Sequence, residues 1–251
     1  MALLSKILRG VASVLPIFCA FSPASALNTS NNPGDPFGCA RLNIKQSAVS
    51  LCNLEKLGEL ANHGLHTSSY KKARTNMFQT IDVFVTSEGV RSVKSVYSPD
   101  IYPVGDSGIP QNGVNCEHSW PQSYLKQSYR FREARSDLFH LFPVTGRVNS
   151  RRNNLPFADC GFHSQTDGVR CHDGFEPPEG HKGVLARAMF YVSATYNLPL
   201  GNAQERLLRE WNDTHPVTQA ELDRSARIHE IQGNDNPFIQ HPEWIDLVDD
   251  F

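Results

Sequence analysis

The sequence predicts a mixed α+β fold, rich in helix and built as one domain. Three observations carry this. Apolar residues recur with helical period in several stretches, a shorter valine-bearing stretch reads as strand, and no internal repeat, low-complexity tract or linker divides the body of the chain. At 251 residues, 39% of them hydrophobic and 20% charged, the chain can bury a sizeable core. That composition excludes a disordered tail, a collagen-like repeat and a polytopic membrane protein. A formal charge of −2 also argues against a globally basic nucleic-acid binder.

Taken in order, Lys6 and Arg9 precede an apolar run from Val11 to Phe21 and the small residues Ala24-Ser25-Ala26. This is the pattern of a secretory signal peptide, residues 1–26, cut after Ala26. Pro16 and the shortness of the run make it a poor membrane anchor. The mature chain, residues 27–251, is then expected to be an exported protein, periplasmic or extracellular, without a membrane span. Without the leader it carries 22 basic against 26 acidic residues, a net of −4, and five cysteines. In an oxidising compartment Cys39–Cys52 and Cys160–Cys171 are the expected local disulfides, each stabilising by about 2–4 kcal/mol. Cys116 is left over as a free cysteine and reads as a small buried residue that carries sulfur.

Residues 27–38, rich in Asn, Ser, Pro and Gly, read as a flexible lead-in. Leu51, Leu54, Leu57 and Leu60 have helical spacing, and His63-Gly64 stops that helix. A second helix is expected over Tyr70–Ile81, a strand over Val90–Tyr97 and a surface loop over Pro99–Gly113. Leu185, Ala188, Met189, Val192 and Tyr196 line one face of a helix over Gly183–Tyr196. A last helix is expected over Gln219–Gln232, closed by Gly233 and Asn234.

The composition changes between Asn115 and Phe157. The 27 residues from Lys126 to Arg152 hold seven basic residues against Glu133 and Asp137, a local charge of +5. Most such runs are solvated helix faces. This one is flanked by Glu117-His118 on one side and by Asn149, Asn153 and Asn154 on the other. A carboxylate and an amide oxygen are hard ligands suited to Mg²⁺, which takes one or two protein groups beside waters and phosphate oxygens. A neutral imidazole with a pKa near 6.5 can take a proton from water, and arginines grip phosphate bidentately. Glu117, His118, Asn149 and nearby arginines therefore form a set suited to hydrolysing a phosphodiester, with activity lost as pH falls through about 6.

Four ordered segments, NCEHSWPQS, SDLFHLFPVTGRVNSRRNNLPF, FEPPEGHKGVLARAMFYVSATY and IQGNDNPFIQHPEWID, resemble those of the bacterial endonuclease I family of exported nucleases. Weaker similarity upstream, through SSYKKAR and VRSVKSVYS, extends the resemblance over roughly Leu51 to Asp246. The resemblance implies a ββα-metal (His-Me finger) site within the α+β domain. Carried over residue by residue, it makes Glu117 and Asn149 the metal ligands and His118 the general base. It gives Arg152 a phosphate contact and Asn154 a scaffolding role. It also implies Mg²⁺, with Mn²⁺ or Ca²⁺ as substitutes, and a monomer that cleaves DNA, and RNA as well, through backbone phosphates and without sequence preference, leaving 5′-phosphate ends. Neighbours on a strand point to opposite faces, so a twist or bulge is expected at Glu117-His118.

Three departures stand out. Family members commonly read Asp-Leu-His where this chain has Asp137-Leu138-Phe139-His140, which leaves His140 as a candidate behind the site. The spacing from His118 to Asp137 is short, so Arg130, Arg132 and Arg135 are open alternatives for a phosphate-contacting arginine. Arg147 stands where some relatives have Glu. Two other functions stay in view, a zinc hydrolase using His118, Asp137 and His140, and a non-catalytic exported protein for DNA binding or uptake. Arg187, His181 and Lys182 read as structural, and Trp120, Trp211 and Trp244 as packing.

Overall fold

The computed structural model describes residues 32–42, 45–105, 110 and 113–251. The signal peptide of residues 1–26 and the first five residues of the lead-in lie outside them. From Asp35 onward the lead-in is packed down, where looseness was expected. Asp35 is buried and its side chain accepts from the Ala40 amide, while Phe37 meets Trp244 edge-on with ring centres 5.1 Å apart.

Helix α1 spans Gln46–Asn62, five residues earlier than its leucine spacing begins. Helix α2, Tyr70–Asn76, continues as a π-helical turn, Met77–Ile81, so the second expected helix is present. Strands β1 (Val83–Val85), β2 (Arg91–Lys94) and β3 (Ile101–Pro103) form an antiparallel sheet in that order. β3 falls where a loop was expected, because a three-residue strand is too short to show a period. β4 (Val114–His118) leads through short helices α3 (Gln122–Leu125) and α4 (Phe131–Ala134) to β5 (Leu141–Thr145) and helix α5 (Gly146–Arg152). The hairpin of β6 (Val169–Arg170) and β7 (Phe175–Glu176) precedes α6 (Lys182–Tyr196), α7 (Asn202–Thr214), α8 (Gln219–Gln232) and α9 (Pro237–Gln240).

α6 is the centre of the molecule. The sequence predicts one apolar face, but every residue except Val184 and Ala194 is buried, because α1 and α7 pack along it and α9 crosses it. α8 begins and ends where its pattern predicts. Thr218 caps it, accepting from the Glu221 amide, and Gly233 closes it at φ +84°. A Cβ on Gly233 would sit 2.5 Å from the Gly64 carbonyl, so the ends of α1 and α8 meet only through two glycines. Both expected disulfides form, Cys39–Cys52 and Cys160–Cys171, and Cys116 is free and buried. Among the described residues no helix is long and apolar enough to cross a membrane.

One buried carboxylate ties this core to the β4–β5 region. Asp137 is wholly buried. Its Oδ2 accepts from the hydroxyls of Tyr191 and Tyr196 on α6, both at 2.7 Å, and its Oδ1 accepts from the Phe139 amide and from Gln232 of α8. Four donors on one carboxylate satisfy it without a counter-ion and fix the turn that launches β5.

Candidate active site

β4, β5 and α5 form a ββα unit. The two strands pair antiparallel without a break from Val114–Thr145 to His118–Leu141. Thr145 then caps α5, accepting from the Val148 amide. Of the twist or bulge expected at Glu117-His118, no bulge is present. His118 is the last residue of β4, and the strong twist of a two-stranded ribbon leaves both side chains lining one cavity of about 280 Å³. Asn149, Arg152 and Asn154 from α5 and its exit line the same cavity.

Glu117 is 2% exposed. Its Oε1 accepts from the Tyr97 hydroxyl at 3.0 Å and lies 3.3 Å from Nη1 of Arg152, while Oε2 takes no hydrogen bond from the described residues. Burial pushes the carboxyl pKa up, against the pull of Arg152 and Tyr97. Asn149 donates through Nδ2 to the Cys116 carbonyl at 3.4 Å, which turns its Oδ1 away from that carbonyl. Two hard oxygen donors without partners among the described residues, on side chains lining one cavity, fit a small divalent cation.

The imidazole of His118 donates from Nε2 to the Arg135 carbonyl at 3.0 Å. A carbonyl only accepts, so in the neutral ring Nδ1 holds the lone pair, and no described residue bonds it. The ring is wedged between Tyr70 and His140, with centres 5.4 and 5.3 Å away. Burial, reinforced by His140 and the nearby arginines, lowers the His118 pKa well below 6.5. This moves the expected loss of activity to a lower pH than the sequence reading placed it.

Arg152 and Asn154, expected to contact phosphate and to scaffold the site respectively, both line the cavity but differ in burial. Arg152 is 1% exposed, and its Nη atoms donate to the carbonyls of His118, Asn153 and Ser119 besides facing Glu117. These bonds brace the ends of β4 and α5, while its Nε has no partner among the described residues. Asn154 is exposed at the cavity with no side-chain hydrogen bond among the described residues, so it is available to a ligand where scaffolding was expected. His140 is fully buried, bonded through Nε2 to the Ala134 carbonyl, and packs behind His118 without reaching the cavity.

The basic run does not act as one stripe. Arg130 is paired with Glu133 and bonded to Asn62, and Arg132 is exposed. Arg135 lies beside the site, with Nε on Gln122, a cavity residue, and its guanidinium 4.2 Å above the Tyr70 ring. The zinc set of His118, Asp137 and His140 does not converge, because Asp137 is fully used by α6 and α8. Among the described residues one group of three metal-capable side chains is close-set, Asp159, His163 and Glu176, but Glu176 is ion-paired with Lys182. Cys116 faces Met77 in the interior, where burial pushes its thiol up to about 12, too high for a nucleophile. A larger cavity of about 560 Å³ lies on the β5 side, walled by Phe142 and Pro143. Its Arg187 and Arg224 are neutralised by Glu221 and Asp82, which confirms the structural reading of Arg187. Trp120, Trp211 and Trp244 are buried packing residues.

Tyr97 and the Arg135 carbonyl are the site groups that residue-type reasoning misses. A tyrosine in a strand stretch and a backbone carbonyl carry no distinguishing signal until the fold brings them to Glu117 and His118.

The chain is 34% identical over 134 residues to an extracellular deoxyribonuclease of Aeromonas hydrophila, covering 51% of this chain and 58% of that protein. It is 34% identical over 154 residues to an extracellular ribonuclease of Bacillus subtilis (strain 168), covering 53% of each. A second extracellular deoxyribonuclease of Aeromonas hydrophila is 35% identical over 214 residues, 73% of this chain and 94% of its own length. The chain thus spans little more than half the length of the first two relatives and nearly all of the third. The Endonuclease I family model matches residues 53–243, a span that contains β4, β5, α5 and every candidate site residue. With that match laid over a ββα unit that gathers Glu117, His118 and Asn149, the chain belongs to the endonuclease I family.

Proposed function

We propose that this protein is an exported, metal-dependent endonuclease that hydrolyses phosphodiester bonds of DNA and RNA with little sequence preference. One observation carries the reading. A histidine whose tautomer is fixed by a backbone carbonyl, with Nδ1 unbonded among the described residues, lines the same cavity as a carboxylate oxygen and an amide oxygen that have no partner among those residues.

Glu117 Oε2 and Asn149 Oδ1 are the residues that would hold Mg²⁺, with Mn²⁺ or Ca²⁺ as substitutes. Such an ion supplies Lewis-acid polarisation of a non-bridging phosphate oxygen and stabilises the leaving oxygen. His118 Nδ1 takes the proton of a water that attacks phosphorus in line. The P–O bond to the 3′-oxygen breaks and that oxygen takes a proton from solvent, leaving a 5′-phosphate and a 3′-hydroxyl. Arg152 holds Glu117 and the β4 terminus in register, and His140 and Tyr70 hold the imidazole ring. Asn154 and Arg135 are the groups placed to contact phosphate, of which the guanidinium is the stronger anion partner. No base-reading motif accompanies them, so contact is with the backbone.

Residues 27–251 act as one monomeric domain after removal of the leader. The extracellular relatives and the two disulfides support export. Relatives named for DNA and for RNA cleavage support a substrate range that includes both. Chelation with EDTA followed by metal re-addition tests the metal assignment. Mg²⁺ restores plasmid cleavage if a hard-oxygen pair holds the ion, whereas restoration by Zn²⁺ alone would reject Glu117 and Asn149 as its ligands.

A further inference from the structure

Between β4 and β5 the chain makes an excursion that starts at the cavity. Gln122 lines the cavity, and its Oε1 accepts from Arg135 Nε at 2.8 Å, which clasps the two ends of the excursion together. Within it stands Tyr129, 92% exposed, the most exposed of the large apolar side chains among the described residues. The backbone holds it there. Ser128 is buried and donates through Oγ to the Tyr196 carbonyl. Arg130 is bonded to Asn62 and the Thr195 carbonyl and lies 5.0 Å above the Tyr196 ring. With both neighbours tied to α1 and α6, the ring between them faces solvent on a fixed base.

The charge on this excursion is also unbalanced. Arg130 and Glu133 neutralise one another, while Lys126 and Arg132 are exposed and form no salt bridge among the described residues. A rigid exposed aromatic ring between two uncompensated cations, on a segment clasped beside a phosphodiester-cleaving cavity, has the composition of a stacking platform. Unpaired bases stack on such rings and the flanking phosphates meet the cations. In a duplex the base faces are already stacked on one another.

We infer that the segment from Ser123 to Ala134 is a contact surface for single-stranded nucleic acid, with one base stacked on Tyr129 and neighbouring phosphates on Lys126 and Arg132. This rests on the nuclease reading and adds to it a preference for unpaired strands.

The test compares wild type, Tyr129→Ala and Tyr129→Phe on a single-stranded oligonucleotide and on the same sequence as a duplex, with Mg²⁺ present. Tyr129→Ala should lower kcat/KM on the single strand about tenfold and leave the duplex rate within about twofold, since one base–aromatic stack is removed. Tyr129→Phe keeps the ring face and should behave as wild type. In a His118→Ala background, where the oligonucleotide stays intact, a 2-aminopurine base in the single strand should be quenched on binding, and Tyr129→Ala should relieve that quenching. Lys126→Gln and Arg132→Gln should each reduce the salt slope of single-strand binding by about 0.7. Equal loss on both substrates, or no loss on either, would overturn the platform. Wild type that cleaves neither substrate would instead reject the nuclease reading, while the binding and quenching measurements would still decide whether Tyr129 stacks.

Discussion

Replacing Arg152 with methionine tests the core of the site without touching a proposed ligand or the base. The guanidinium is 1% exposed, lies 3.3 Å from Glu117 Oε1, and donates to the Ser119 carbonyl at 2.7 Å and the His118 carbonyl at 3.2 Å. Methionine fills much of the volume but leaves a buried carboxylate without its cation and the two carbonyls without their donors. Breaking such a buried pair costs about 3–5 kcal/mol. For a domain of this size that is a fall in Tm of roughly 10 °C. Thermal denaturation followed by circular dichroism measures it. Because Arg152 pulls the Glu117 pKa down, the loss should be smaller at acid pH, where the carboxyl protonates. Added Mg²⁺ should recover more Tm in the variant than in wild type, being the remaining charge that can compensate Glu117. Arg152→Lys should restore the charge but not the fork of donors, and so recover only part of the loss. An Arg152→Met protein melting within about 2 °C of wild type would refute the brace, since that corresponds to only about 1 kcal/mol.

Three further predictions follow from the same geometry. The acid limb of the pH–rate profile should lie well below pH 6.5, because burial favours the neutral, proton-accepting form of His118; a midpoint at or above 6.5 would contradict this. His118 and His140 both have lowered pKa values in the fold, so stability should be full above pH 6.5 and decline as pH falls toward their folded values. Each would contribute a slope of up to about 1.4 kcal/mol per pH unit, measurable by urea denaturation across that window, and a flat profile would remove the linkage. Reduction of Cys39–Cys52 and Cys160–Cys171 should lower stability by about 2–4 kcal/mol per bridge, and an unchanged Tm under reductant would show that the other contacts of these loops suffice.

Much of the site was legible in the sequence because its chemistry resides in residue types at fixed places. Glu117, His118 and Asn149 line one cavity because α5, which starts at the Val114–Thr145 end of the strand pair, runs back along β4, with Asn149 on the Cys116 carbonyl and Arg152 on the His118 carbonyl. The local disulfides and the limits of α8 were legible for a similar reason, being set by short-range closure and by capping residues. What escaped was decided over long distances. α6 presents an apolar stripe in sequence, yet α1 and α7 enclose it completely, and nothing local to it announces those partners. Arg152 and Asn154 lie two residues apart in one motif, and only the fold decides that the first turns inward to three carbonyls and the second outward to the cavity. α7 carries a helical period in sequence too, with Leu207, Leu208 and Trp211 on one face of an otherwise polar segment, and it went unread. The +5 segment likewise dissolves in space, as one arginine pairs with a glutamate, one is buried, and one stacks beside His118.

The central claim is that His118 Nδ1, beside Glu117 and Asn149, removes a proton from the attacking water. The most direct measurement is conversion of supercoiled plasmid to nicked and linear forms with Mg²⁺, by wild type and His118→Ala, with nucleic-acid binding measured on both proteins. Wild type should cleave efficiently and leave 5′-phosphate ends, and His118→Ala should lose cleavage at nearly unchanged affinity. Near-wild-type turnover by His118→Ala, or binding by wild type without nicking, would contradict it.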